Sequence, residues 1–220
     1  EAQEPAEPAY LNTREHDAYI QGNDGRFRPE DSLSRAEAVA MLARLSVDEQ
    51  GNLLYSGVPG TGGFSDVKRG DWYAPYVAFA KRYGIANGYL DGTFRPEQPV
   101  SRAELVKLIA SYFTVEGGTP PFPDVPGGHW AAEVVSFAAE EGWVSGYPDG
   151  TFRPDAPVSR AEAVKILNHA LDRRAGERAA ALPFTDVEKS HWACDEIREA
   201  AVSHTYRKSG EGETWLTYER

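Results

Sequence analysis

The apolar residues of this chain fall into two kinds of segment, which predict two kinds of helix. In the first kind, a tryptophan is followed by apolar residues five and eight positions later, a spacing that puts them on one face of an amphipathic helix. Gly84 and Gly142 follow two of these segments, where a helix C-terminus favours a left-handed residue. The three sets of matched positions are Trp72, Val77 and Ala80; Trp130, Val135 and Ala138; and Trp192, Ile197 and Ala200.

In the second kind of segment almost every position is apolar, which is typical of a helix that lies in the interior. Each of these segments begins with Ser-Arg-Ala-Glu, at Ser34, Ser101 and Ser159. The serine and the glutamate three residues later form a capping box, which satisfies backbone N–H groups at a helix start. The sequence therefore predicts three interior helices with defined N-termini.

An internal repeat relates the two kinds of helix. Residues 64–113 align without a gap with residues 122–171, at an offset of 58, and 26 of the 50 positions are identical. The second half of this unit recurs within residues 10–45, and its first half recurs within residues 184–204. Repeats of this length bury their apolar faces against one another. We predict a repeat domain at 10–204, a linker at 1–9 and a tail at 205–220.

The repeat predicts an all-α fold with pseudo-threefold symmetry. The three interior helices would form a central bundle, and the helices that begin with tryptophan would lie outside it. Residues 184–204 would supply the outer helix that the first half-unit lacks, so that the C-terminal segment closes the ring. In the loops between helices, proline is expected to hold the preceding Arg95 and Arg153 in an extended conformation.

Composition and charge exclude several classes of function. The 220 residues include 23 basic and 34 acidic side chains, and the net charge of −11 argues against a nucleic-acid scaffold. No apolar run approaches the roughly 20 residues that span a bilayer. The single cysteine, Cys194, lacks companions for a disulfide or a structural zinc site. Enzyme motifs such as Gly-x-Ser-x-Gly and His-Glu-x-x-His are missing, so we expect no catalysis, no cofactor and no metal.

The arginine just inside each capping box is chemically unusual. Arg35, Arg102 and Arg160 lie in the first helical turn, where the helix dipole disfavours a cation by about 0.3–1 kcal/mol. A guanidinium beside free N–H groups forms a binding site for a carboxylate or phosphate, so we predict that these arginines hold an anion. The alternative is that each pairs with a nearby carboxylate, such as Asp66 or Asp124, and braces the loop.

Aromatic residues near these arginines suit a sugar ligand, because flat rings pack against sugar faces. Tryptophans begin the outer helices, although tryptophan at such a position is about as often part of the core. Tyrosines follow glycines in two of the loops, where backbone could approach a ligand closely. The predicted groove residues, besides the three arginines, are Trp72, Trp130, Trp192, Gly88, Tyr89, Gly146 and Tyr147.

These motifs together resemble the S-layer homology family. The matching residues are Phe122-Pro-Asp-Val125, Trp130-Ala131, Gly142, Gly146-Tyr-Pro-Asp-Gly-Thr-Phe-Arg-Pro154 and Ser159-Arg-Ala-Glu162, with serine where the family has threonine. The resemblance covers about residues 10–204. The segment from Leu11 to Ile20 is similar to the first-repeat variant of Firmicute surface proteins.

The resemblance implies a three-repeat helical domain that holds a surface protein to the bacterial cell wall without covalent bonds. The implied ligand is a secondary cell-wall polysaccharide, often with pyruvylated N-acetylmannosamine, whose ketal carboxylate would meet Arg35, Arg102 and Arg160. It also implies an extracellular location on a Gram-positive bacterium. The loop from Gly22 to Gly25 lacks the tyrosine of the motif, and the last lobe lacks the loop altogether. The groove that uses Arg102, or the adjoining one that uses Arg160, is therefore the preferred candidate.

Two other functions stay open on the sequence. A protein–protein assembly module of a surface layer or spore coat would keep the fold and use its surface for protein contacts; the altered closure and the tail from Thr214 to Tyr218 motivate it. A hydrolase acting on wall glycan ranks third, because the repeats carry no stereotyped pair of carboxylates.

Overall fold

The computed structural model describes residues 8–55, 60–174, 180–209 and 212–218, so residues 1–7 of the predicted linker lie outside it. These ranges contain six helices and four strands. In chain order the elements are β1 (Tyr10–Leu11), α1 (Arg35–Leu45), β2 (Ser46–Val47), α2 (Ala74–Arg82), α3 (Arg102–Ala110), α4 (Ala132–Glu140), α5 (Arg160–Ala170), α6 (Cys194–Ala201), β3 (His204–Ser209) and β4 (Gly212–Tyr218). No helix in the described ranges is both long enough and apolar enough to cross a bilayer.

The three interior helices, α1, α3 and α5, begin at the predicted capping boxes. In each box the serine Oγ accepts the backbone N–H of the glutamate at 3.2 Å, and the glutamate carboxylate accepts the serine N–H. Their apolar faces form the core: Leu42, Leu105 and Val164 are at most 1% exposed. The prediction of capped, buried inner helices is confirmed.

A ring of three backbone hydrogen bonds marks the pseudo-threefold axis. The N–H of Leu33 donates to the carbonyl of Val158 at 2.9 Å, the N–H of Val158 to that of Val100 at 3.0 Å, and the N–H of Val100 to that of Leu33 at 2.9 Å. Each of these residues directly precedes a capping-box serine. The N-terminal ends of the inner helices therefore meet around this axis.

Each inner helix packs against the outer helix that follows it in the chain: α1 on α2, α3 on α4, and α5 on α6. The inward positions Val77, Val135 and Ile197 are 0% exposed, as the amphipathic pattern predicts. Gly84 and Gly142 have φ of +69° and +74° at the ends of α2 and α4, which confirms their prediction as left-handed caps.

The C-terminal part of the chain contacts the first loop and closes the ring. The carboxylate of Asp186 accepts the N–H groups of Phe27 and Arg28, both at 2.8 Å. Asp66 and Asp124 make the same pair of bonds inside the two complete repeats. Asp186 in the C-terminal segment thus makes to the first loop the same two hydrogen bonds that Asp66 and Asp124 make to the loops of their own repeats.

The all-α prediction is wrong in one respect, because the chain also forms two small sheets. β1 pairs with β2 in antiparallel register, and the predicted tail forms a hairpin of β3 and β4 in which Tyr206 faces Trp215. Along β4, Trp215 is buried whereas the neighbouring Leu216 is exposed. This alternation, together with threonine and aromatic residues, is the pattern of a half-buried strand.

The loop arginines are not extended as expected. Arg28, Arg95 and Arg153 have φ between +57° and +59°, in the left-handed region. The N–H groups of Phe152 and Arg153 converge on the two oxygens of Asp124 at 2.9 and 2.7 Å, and equivalent bonds form in the other two loops. These bonds anchor the backbone directly before the turn, and the left-handed conformation shows that the tertiary contacts of the loop outweigh the extended preference that proline imposes.

Candidate ligand-binding clefts

Arg102 lies in the wall of a surface cleft between α5 and the loop that follows α4. The cleft has a volume of about 360 Å³, within the range of roughly 300–1,000 Å³ that is typical of small-ligand sites. We call it the Arg102 cleft. The residues of its wall that matter below are Arg102, Gly146, Tyr147, Glu162, Lys165 and Trp192. The structure thus brings together four of the predicted groove residues, and among the further residues that line the cleft Glu162 and Lys165 carry charge.

The arginine of this cleft braces the fold. Arg102 is only 6% exposed; its Nε donates to the carbonyl of Phe152 at 3.0 Å and its Nη1 to Glu162 at 3.2 Å. The bracing alternative is therefore correct in kind, although the partner is a capping-box glutamate and not Asp66 or Asp124, which bind backbone N–H groups. Among the described residues Nη2 of Arg102 has no hydrogen-bond partner.

Glu162 is held as a charged group. It accepts the Tyr147 hydroxyl at 2.5 Å and the Ser159 N–H at 2.9 Å, besides the bond from Arg102. Burial alone would raise the pKa of Glu162, but these donors outweigh it and lower the pKa below its ordinary value. Burial and the neighbouring Glu162 raise the pKa of Tyr147, so its hydroxyl keeps its proton. The carboxylate is thus neutralised locally by Arg102.

The open side of the cleft carries a cation and an exposed indole. Trp192 is 55% exposed, so it is not part of the core. The Lys165 ammonium lies 5.8 Å from the centre of its ring, within the range of a cation–π contact. Lys165 was not among the predicted groove residues, although the sequence carries a signal for it. In both complete repeats a lysine follows the capping-box glutamate by three residues, which places the lysine and the glutamate on one helix face.

A second copy of this arrangement surrounds Arg35. Its Nε donates to a loop carbonyl at 3.0 Å and its Nη1 to Glu104 at 3.3 Å, and its guanidinium lies 4.9 Å from the ring of Tyr89. The Lys107 ammonium lies 5.3 Å from the ring of Trp130, which is 54% exposed. Nη2 of Arg35, like that of Arg102, makes no hydrogen bond to any other described residue. We call these five residues the Arg35 set.

The third copy, around Arg160, differs from the other two. Arg160 pairs with Glu37 and donates from Nε to the carbonyl of Phe27 at 2.8 Å, but its Nη2 also donates, to the carbonyl of Gln21 at 3.0 Å. The loop here has no tyrosine, and Ala40 occupies the position of the lysine. The Arg35 set, not the Arg160 site, is therefore the closer equivalent of the Arg102 cleft.

Trp72 lies two residues before α2, the outer helix that packs on α1, and it is 54% exposed. Its ring lies edge-on to Tyr73 and Tyr76, with centroids 5.5 and 6.2 Å away. All three predicted tryptophans are thus exposed, but Trp72 alone among them has no lysine over its ring within the described part of the chain.

Packing accounts for the loop glycines. A Cβ at Gly88 would lie 2.3 Å from the ring of Phe64, and one at Gly146 would lie 2.9 Å from that of Phe122. Contacts this short do not occur, so the aromatic residue at the start of each repeat requires glycine in the loop. Gly146 also lines the Arg102 cleft, and the two roles are compatible.

Comparison with known proteins identifies the repeats. The S-layer homology domain model matches residues 63–106 and 121–164. Cell surface glycoprotein 1 of Acetivibrio thermocellus is 36% identical over 216 residues, which is 92% of this chain and 9% of that protein. The cellulosome-anchoring protein of the same species is 34% identical over 215 residues, 94% of this chain and 47% of that protein. An S-layer protein of Bacillus thuringiensis subsp. finitimus is 28% identical over 157 residues, 67% of this chain and 18% of that protein. The chain spans less than half the length of each of these relatives.

Proposed function

Because this chain belongs to the S-layer homology family, we propose that it anchors a surface protein to the bacterial cell wall by binding an acidic secondary cell-wall polysaccharide. The family match and the names of the relatives, which include a cell-surface glycoprotein and a cellulosome-anchoring protein, support a cell-surface anchoring role. On this proposal the chain acts outside a Gram-positive cell, without catalysis and without a covalent link.

The observation that carries the proposal is the charge of the Arg102 cleft. Arg102 and Glu162 cancel each other, and Lys165 leaves the cleft with one net positive charge beside an exposed indole. An acidic sugar fits this combination: its carboxylate would meet the Lys165 ammonium and Nη2 of Arg102, which has no partner in the described part of the chain, and its ring face would pack on Trp192. A charge-assisted hydrogen bond of this kind contributes roughly 1.5–3 kcal/mol.

The ligand we propose is the pyruvylated N-acetylmannosamine unit of such a polymer. A ketal carboxylate is fixed on the sugar ring, so the cation and the indole can contact one rigid unit at the same time. The Arg35 set would take a second unit, since it offers the same lysine, tryptophan and tyrosine. Two modest sites on one polymer strand would bind cooperatively through effective concentration.

The overall charge of the chain does not oppose this binding at contact. The chain and an acidic polymer repel each other at long range, because the net charge is −11. Salt screens that repulsion beyond about 8 Å at physiological ionic strength. Lys107 and Lys165 act at shorter distances, so we expect the affinity to fall when added salt screens these contacts as well.

Co-sedimentation with purified cell-wall sacculi tests the proposal. We expect the full 220-residue chain to sediment with sacculi, and a variant carrying Lys107→Ala, Trp130→Ala, Lys165→Ala and Trp192→Ala to stay in the supernatant. Lys107, Trp130 and Trp192 are exposed and Lys165 is half-buried, so the variant should fold, which circular dichroism would verify. Trp72→Ala is the matched control, because it removes an equally exposed tryptophan from the site without a lysine, and it should sediment normally.

The chemistry of the ligand is tested with the same sacculi after removal of the pyruvyl groups. We expect at least a tenfold loss of affinity, about 1.4 kcal/mol, for the native chain and no further loss for the quadruple variant. Equal binding to both polymers would refute the carboxylate as the recognised group. Sedimentation of the folded quadruple variant would refute the role of the clefts in polymer binding. Self-association of the native chain without polymer would favour the protein–protein assembly function instead.

A further inference from the structure

Four buried side chains from separate parts of the chain converge at the closure of the ring. His16 comes from the N-terminal segment, Glu199 from α6, His204 from β3 and Glu213 from β4. Their exposed fractions are 2%, 0%, 7% and 4%. Each offers one ring nitrogen or carboxylate oxygen, and these four atoms all lie within 4.8 Å of one another. None of the four belongs to the clefts described above.

The distances between these atoms are those of a metal-coordination shell. Nδ1 of His16 lies 3.1 Å from Nε2 of His204, 2.8 Å from Oε1 of Glu199 and 3.5 Å from Oε2 of Glu213. Nε2 of His204 lies 3.4 Å from Oε2 of Glu199. A tetrahedral zinc ion with ligands at about 2.0–2.2 Å separates its ligand atoms by roughly 3.3–3.6 Å. Small movements of these side chains would bring all four atoms to that separation.

The carboxylates of the cluster lack donors other than the two histidines. Both oxygens of Glu199 and Oε2 of Glu213 are buried and, apart from the His16 and His204 nitrogens 2.8–3.5 Å away, have no hydrogen-bond donor among the described residues. Leaving a buried carboxylate unpartnered is costly, so such groups pair with a cation or bind a metal. Arg173 lies close enough to act on Glu213 electrostatically, but it donates to the backbone carbonyls of Asn12, Glu15 and Asp17. Its guanidinium therefore does not hydrogen-bond to either carboxylate.

The histidines are arranged as metal ligands usually are. Nδ1 of His204 lies 2.8 Å from the carbonyl of Val202, and a carbonyl accepts only from a protonated nitrogen. The proton of His204 is thus fixed on Nδ1, and the lone pair of Nε2 faces Nδ1 of His16 and the carboxylates. Metal-bound histidines commonly have their second nitrogen fixed by a carbonyl in this way.

We propose that His16, Glu199, His204 and Glu213 form a four-coordinate site for a divalent transition metal, with zinc as the best match. Two imidazole nitrogens and two carboxylate oxygens are ligands that zinc accepts, and a divalent ion neutralises the two carboxylates. With all four positions taken by protein, the site is structural. It ties the N-terminal segment to α6 and to the hairpin, and so locks the ring at the point where the chain closes.

The competing explanation is a metal-free cluster in which protons replace the ion. Burial and the nearby Glu199 raise the pKa of Glu213 to about 7, and burial lowers the pKa of His204. These shifts would leave the cluster less charged without a metal ion. The two explanations differ in whether the native chain binds a metal ion with defined geometry.

Metal titration of the full chain tests the proposal. We expect chelator-treated protein to bind one zinc ion per chain by calorimetry and elemental analysis, and its thermal midpoint to rise on binding. Cobalt(II) in place of zinc should give the intense visible absorption of a tetrahedral site. Glu213→Gln keeps the shape of the side chain but removes a charged ligand, so zinc affinity should fall at least tenfold. His129→Gln, which alters a histidine outside the cluster, should bind as the native chain does.

Several results would overturn the proposal. A native chain that binds no zinc, a cobalt spectrum of weak six-coordinate type, or equal zinc affinity in Glu213→Gln and the native chain would each leave the protonated cluster as the explanation. Should Glu213→Gln fail to fold, the cobalt spectrum of the native chain decides, because it depends on no variant. None of these measurements involves wall polymer, so the outcome is independent of the proposed anchoring function.

Discussion

Replacing Arg102 with methionine should destabilise the fold, even though Arg102 is also a candidate ligand residue. Methionine keeps the apolar stem but removes two hydrogen bonds from a guanidinium, to the carbonyl of Phe152 and to Glu162. Each such bond contributes roughly 1.5–3 kcal/mol. Because the Glu162 side chain is 23% exposed and water can partly replace its partner, we expect the lower end, about 3 kcal/mol in total.

Arg153→Met is the matched control for this loss. Arg153 pairs with Asp149 at 2.8 Å, but both side chains are at least half exposed. An exposed ion pair contributes about 0–1 kcal/mol, so the free energy of unfolding of this variant should be close to that of the native chain. Equilibrium unfolding in urea, followed by circular dichroism, measures both free energies. Arg102→Met with native stability would refute the bracing role and leave Arg102 as a ligand residue alone.

The same variant should change the response to acid. The pKa of Glu162 is lowered in the fold, so its ionised form contributes stability above its ordinary pKa, and this contribution is lost as the pH falls through the lower, folded value. Arg102 is one of the groups that lower it. The difference in unfolding free energy between the native chain and Arg102→Met should therefore shrink between about pH 7 and pH 3. A constant difference over that interval would contradict the ion pair.

Two further predictions concern the closure and the loops. Asp186→Asn should lower the free energy of unfolding, measured in urea, by about 1.5–3 kcal/mol, because an amide cannot accept both N–H groups of the first loop. Asp124→Asn should lower it by a similar amount. If only Asp124→Asn lowered it, the ring would close without Asp186. Gly146→Ala should lower the stability of the fold by about 1–3 kcal/mol, because the new methyl group would overlap an aromatic ring. Gly127→Ala, which has open space around it, should leave the thermal midpoint nearly unchanged. Equal effects of the two substitutions would contradict the steric argument.

The parts of the fold that follow from local sequence were predictable. A capping box lies within four residues, so Ser159 and Glu162 define the start of α5 without reference to the rest of the chain. The repeat then carries that information to α1 and α3. The amphipathic spacing likewise predicts the buried face of each outer helix, because it depends on one helical period.

Pairings between distant residues could not be read from the sequence. Arg102 and Glu162 are 60 residues apart, and Arg160 and Glu37 are 123 apart. The capping role of these glutamates was evident, but their second role depends on how the lobes pack. The four-residue cluster from His16 to Glu213 assembles only when the ring closes, so the histidines carried no recognisable spacing. The hairpin of β3 and β4 was not predicted, because two short alternating segments are stable as strands only when they pair with each other and pack on the fold.

The hydrogen bonds of each guanidinium explain why arginine occupies a position that the helix dipole disfavours. The dipole costs about 0.3–1 kcal/mol, whereas two hydrogen bonds from a charged group contribute several times as much, so the fold alone accounts for the residue. On the proposed function, ligand binding would depend on Nη2, which has no partner among the described residues in Arg35 and Arg102 but donates to the carbonyl of Gln21 in Arg160. Arg160 should therefore matter for stability and not for polymer binding. We therefore expect two clefts, not three, to bind the wall polymer.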